Sequence, residues 1–139
     1  MSTGLERKHD SLTELLHRLS VEGESGIPIL VEGKKDMHAL RRLGVKSEIE
    51  CVKASTKILI DKLDTIQGDE VIVLVDFDRD GKRLVSRIAT YLESQGVKVN
   101  LGYWKEMSAL VRRDVKDVEG LPSYLEKLKK HIGEEEFRH

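Results

Sequence analysis

The chain has 139 residues, 39% of them apolar and 35% charged, with a formal net charge of −1 and a single cysteine, Cys51. That balance reads as one globular domain, residues 1–139, with enough apolar side chains for a real core. It excludes an intrachain disulfide, a zinc site built on several cysteines, a membrane helix, and a signal peptide at "MSTGLERKHD", so the expected setting is the cytoplasm.

In chain order, "DSLTELLHRLS" carries Leu12, Leu15, Leu16 and Leu19 at helical spacing, with Ser11 and Glu14 as a capping box, and predicts a helix over Ser11 to Val21. A short apolar strand, Ile27 to Val31, follows and ends at Glu32-Gly33. "KDMHALRRLG" predicts a helix stopped by Gly44, and "SEIECVK" a weaker strand. "STKILIDKLDTIQG" predicts a helix with Ser55 as its cap and Gly68 beyond its end. The strongest strand is Val71 to Val75, which leads into the amphipathic helix "GKRLVSRIATYLESQG", closed by Gly96. "VKVNLGY" predicts a fourth strand, and "WKEMSALVRRD" and "LPSYLEKLKKHI" two more helices, within about 104–132, before a tail expected to fray. Strands alternating with helices predict an α/β fold: a parallel sheet flanked by helices in three layers, with ligands beyond the carboxyl ends of the strands. An order of 2-1-3-4 would bring Glu32 and the acids after Val75 into one crevice.

Those acids are Asp76, Asp78 and Asp80, in "VIVLVDFDRDGKRL". Asp80 before Gly81 suits a helix cap, and Asp78 a turn. On an extended segment, however, Asp76 and Asp78 would point the same way and repel unless a proton or a cation intervenes. Carboxylate oxygens of that kind suit Mg²⁺. "DFDRDG" opens like a calcium loop, but Arg87 stands where the twelfth-position glutamate is needed, so that reading fails. A haloacid-dehalogenase-like phosphatase would use Asp78 as nucleophile and Asp80 as acid/base, with "RDVKD" the sole source of its further acids.

The ordered pair "ILVEGKKD" and "VIVLVDFDRDGKRL", 44 residues apart from Glu32 to Asp76, resembles the two motifs of the Toprim domain. That domain is shared by topoisomerases, primases of the DnaG type, OLD-family nucleases and ribosomal-RNA maturation nucleases. The resemblance covers about 27–103 and is closest to small stand-alone Toprim proteins of archaea and bacteria. It implies that Glu32 is a general acid or base and that Asp76 and Asp78 hold Mg²⁺, or Mn²⁺. Asp80 matches a third acid that is often glutamate in the topoisomerases, and its metal role stays open beside its cap role. Asp36 belongs either to the first motif or to a helix start. Lys34, Lys35, Arg79, Lys82 and Arg83 could contact phosphates, or be solvated helix starts.

The function implied is Mg²⁺-dependent phosphodiester chemistry, as a nuclease in RNA processing or DNA repair. The alternative is a non-catalytic module that binds RNA or DNA within a larger protein assembly. With a net charge of −1, a nucleic-acid partner needs a local basic patch or a bound cation. Tyr91, Tyr103 and Tyr124 read as packing residues, Trp104 as a core residue before a base-stacking one, and the arginine pairs and "LEKLKK" as solvated faces.

Overall fold

A computed structural model of the chain describes residues 4–52, 60, 61, 63, 64, 66 and 68–137, with side chains as far as Glu134. The elements run α1 (Gly4–Glu24), β1 (Ile29–Val31), α2 (Lys34–Arg42), β2 (Ile49–Cys51), β3 (Glu70–Val73), α3 (Arg79–Ser94), β4 (Lys98–Asn100), α4 (Gly102–Val111) and α5 (Leu121–Phe137). The helix expected over Ser55 to Gly68 lies largely outside the described residues.

The four strands form one parallel sheet in the order β2-β1-β3-β4. This is the expected order, and it follows from burial. Ile29, Leu30 and Val31 on β1, and Val71 to Val75 on and after β3, are fully buried. A continuous apolar run of that kind needs cover on both faces, so these two strands take the centre. Leu30 pairs with Val73, and the ladder continues past β3 through the Leu74 N–H, which donates to the Leu30 carbonyl at 2.9 Å. Gly44 and Gly96, at φ 93° and 82°, stop α2 and α3 in the left-handed conformation a side chain resists.

Of the boundaries that differ from expectation, three have a plain local cause. Ser11 lies exposed inside α1, which already runs at Gly4, because the leucine stripe packs on α4 and α5 along its length. The predicted fourth strand stops at Asn100, whose side chain accepts from the Gly102 N–H at 2.9 Å and turns the chain into α4. The tail is helical to Phe137 instead of fraying. Glutamate is a good helix former, and Gly133 costs only about 1 kcal/mol there.

Candidate functional site

Because β1 and β3 are neighbours, the residues leaving their carboxyl ends meet. The Asp76 N–H donates to Glu32 Oε2 at 3.1 Å. Asp76 Oδ1 is buried and has no hydrogen-bond partner among the described residues. Burial first, then a side-chain hydrogen bond to Glu32, then the charges of Glu32, Asp36 and Asp117 push the Asp76 carboxyl up to about 8. Its protonated form is thereby favoured.

Asp36 is only 8% exposed and takes the helix-start role while lining the cavity. It stands in the first turn of α2, where Oδ2 accepts from the Gly33 N–H at 3.1 Å, and Oδ1 accepts from the Glu119 N–H at 3.2 Å. Burial raises its carboxyl, opposed by those two backbone bonds. The second bond pins the loop between α4 and α5, which the Phe77 N–H also holds by donating to the Lys116 carbonyl at 2.8 Å. Asp117 and Glu119 arrive on that loop. With Glu32, Asp36, Asp76, Lys34 and Lys35 they line a cavity of about 410 Å³.

The structure thus gathers Glu32, Asp76, Lys34 and Lys35 from the expected set. Asp78, Asp80, Arg79, Lys82 and Arg83 stand exposed at the start of α3 and do not line the cavity. Asp78, not Asp80, is the helix cap: its Oδ1 accepts from the Gly81 N–H at 2.8 Å. Asp80 pairs with Arg83 at 3.4 Å on the surface. The expected alignment of Asp76 with Asp78 fails because β3 ends at Val73, and side-chain alternation holds only within a strand. Sequence reasoning missed Asp117 and Glu119 as site residues; "RDVKD", which ends on Asp117, was a trace of the first, and Glu119 lies beyond it.

The backbone at Asp76 is tightly fixed. Its carbonyl accepts from Trp104 Nε1 at 3.1 Å, and a Cβ on Gly81 would lie 1.9 Å from that same oxygen. Only glycine allows α3 to start so close to the strand exit. Trp104 is buried in the core, as are Tyr103 and Tyr124, while the half-buried Tyr91 donates to Asp64.

Among the described residues, no three His, Cys, Asp or Glu side chains converge as a ready-made metal cage. The donor set still fits Mg²⁺. An unpartnered buried carboxylate oxygen on Asp76, crowded by Glu32, Asp36 and Asp117, is what a hard cation relieves. Mg²⁺ is commonly held by one or two carboxylates, with water and substrate phosphate completing the shell.

Comparisons with known proteins agree with this architecture. The Toprim domain family matches residues 26–101. A UPF0292 protein of Methanosarcina barkeri is 32% identical over 127 residues, covering 91% of this chain and 89% of the relative. Another, from Methanocaldococcus jannaschii, is 35% identical over 119 residues, 85% of this chain and 92% of that one. A solved structure of a protein from Aquifex aeolicus superposes with a TM-score of 0.60 at 27% identity, covering 76% of this chain and 94% of that chain. With the two acid-ended strands side by side and the family match spanning both, the chain belongs to the Toprim domain family.

Proposed function

We propose that the acid cavity is a Mg²⁺-dependent phosphodiester site and that the protein is a nuclease acting in RNA processing or DNA repair. The carrying observation is the buried, unpartnered Oδ1 of Asp76 beside Glu32, in a cavity that also presents Lys34 and Lys35. Asp76 is the principal ligand in this reading. Asp78, whose Oδ1 caps α3, and Asp80, on the surface beside it, would be further ligands of the cation from the start of that helix. Mg²⁺, or Mn²⁺, bound there would neutralise the non-bridging and leaving oxygens of a phosphodiester.

Glu32 is the acid/base. Its carboxylate is oriented by the Asp76 N–H and stands beside the Asp76 carboxyl at the cavity wall. Lys34 and Lys35 place two ammonium groups at the cavity wall, where they would hold the phosphates flanking the reacting one. Arg79, Lys82 and Arg83, at the start of α3, extend that basic rim. The sole cysteine supports a cytoplasmic setting, and no helix among the described residues is long and apolar enough to cross a membrane.

A second reading is favoured by the same incomplete ligand set: a module that binds RNA or DNA without cutting it, inside a larger protein assembly. The phosphatase alternative gains no support from an Asp78 that caps α3 outside the cavity. Calorimetry with Mg²⁺ on wild type and Asp76→Asn, followed by RNA and DNA cleavage assays in Mg²⁺ and Ca²⁺, separates the readings. Binding lost in the variant, with cleavage in Mg²⁺ and binding alone in Ca²⁺, is the expected result. Nucleic-acid binding without cleavage in either ion would move the assignment to the binding module.

A further inference from the structure

The acid cavity uses none of the basic residues on α1, at the end of α4 or on α5. A second cavity, of about 460 Å³, opens where those three elements meet. Lys8, Arg113, Lys127 and His131 line it, together with Asp114 and Tyr124. The Asp114 carboxylate accepts from the Tyr124 hydroxyl at 2.8 Å and from Lys8 Nζ at 3.3 Å. Those two bonds hold its carboxyl below the ordinary range, so it is ionised. Burial, then the bond to Asp114, pushes the Tyr124 hydroxyl up, so it stays a donor. Lys8 and Lys127 both act on Asp114, and with Arg113 the described lining sets three cations against one carboxylate, a net positive charge.

We propose that this second cavity binds phosphate groups of a nucleic-acid strand. The inference rests on the reading of the protein as one that acts on nucleic acid, and it names where the strand is held. A guanidinium pairs with a phosphate through two parallel hydrogen bonds, and an ammonium serves as a point charge. In a chain of net charge −1, such a local patch is the way to attract a polyanion. The arginine pair at 112–113 and "LEKLKK", which read as solvated faces in the sequence, here contribute Arg113 and Lys127 to one concave site.

The placement suits a shared strand. Arg113 and Asp114 wall the basic cavity, while Asp117 and Glu119 on the same loop wall the acid one. The three-residue step from Asp114 to Asp117 spans at most about 11 Å. A helical strand places a phosphate about every 3.4 Å along its axis, so about three phosphates cover that distance.

The test is fluorescence anisotropy of a labelled single-stranded RNA 12-mer with the full chain in EDTA, so that cation binding plays no part. Wild type is compared with Arg113→Gln/Lys127→Gln, and circular dichroism melting confirms that the variant is folded. The expected result is Kd raised about tenfold, with the slope of log K against log salt reduced by about 1.4 for two lost phosphate contacts on a single strand. Equal affinity and slope in the variant would overturn the proposal. So would absence of RNA binding while inorganic phosphate protects wild type, but not the variant, against melting; the cavity would then serve a free anion. Loss of RNA binding in the variant beside a wild type that never cleaves with Mg²⁺ would sustain this site and sink the nuclease reading alone.

Discussion

In the acid cavity five carboxylates, those of Glu32, Asp36, Asp76, Asp117 and Glu119, face two lysines, whereas in the basic cavity one carboxylate, Asp114, faces three cationic side chains and His131. The two differ in how the imbalance is met. Asp114 is answered within the protein, by Tyr124 and Lys8, and what remains is surplus positive charge. Asp76 sits among further acids instead, and its buried Oδ1 has no partner among the described residues. In the readings proposed above, one cavity would take a cation and the other an anion, and a phosphate chain carrying a divalent ion would supply both. The loop between α4 and α5 borders each of them, so disturbing one wall tests whether the two are independent.

The largest effect is expected from Gly81→Ala. A methyl group 1.9 Å from the Asp76 carbonyl oxygen must displace either the start of α3 or the strand exit. Overpacking against backbone of this kind costs about 3 kcal/mol. Urea unfolding should show that loss, together with weakened Mg²⁺ binding, while RNA binding in EDTA persists in the molecules that fold. Wild-type stability and Mg²⁺ affinity in this variant would contradict the tight fixation of Asp76.

Asp36→Ala comes next, at about 2 kcal/mol, because the Gly33 and Glu119 N–H groups lose a charged acceptor. It also unpins the loop, so hydrogen exchange should quicken at the Glu119 amide. If Glu119 stays protected, the loop is held by the Phe77–Lys116 bond alone.

The smallest effect carries a sign. Asp76 has a folded pKa of about 8, well above its usual value near 4, so the folded state binds the extra proton between those limits. Stability contributed by that protonated form is fully present below pH ~4 and is lost as pH rises through about 8. Asp76→Asn removes the charge that burial penalises. In EDTA it should flatten the dependence of Tm on pH and gain on the order of 1 kcal/mol at pH 9, once solvent screening of a half-exposed group is allowed for. Parallel Tm profiles for the variant and wild type would place the titration elsewhere.

Much of this fold was legible. The two apolar runs that end in acids announce central strands, and Gly44 and Gly96 stop their helices where periodicity ends. From that frame alone Glu32 and Asp76 could be brought together. Asp117 and Glu119 could not, because they reach the cavity through bonds made 40 or more residues away in sequence, the Phe77 N–H to Lys116 excepted at 39. Asp78 misled for a local reason: the chain leaves β3 at Val73, so the two-residue repeat no longer says where a side chain points. The basic cavity was hidden for the same cause as the acid loop. Lys8 and Asp114 meet across 106 residues, a pairing that no local pattern signals.

The bond from Trp104 Nε1 to the Asp76 carbonyl has a practical consequence. Trp104 is the chain's one tryptophan, so the protein's indole emission comes from a single ring tethered to the backbone of the principal acid. Any event that shifts Asp76, by loss of its proton or arrival of a cation, acts on the hydrogen bond of that ring. The fold has in effect set an optical probe behind the cavity wall, on the backbone of Asp76, and the unlabelled protein's own fluorescence is the readout to try there.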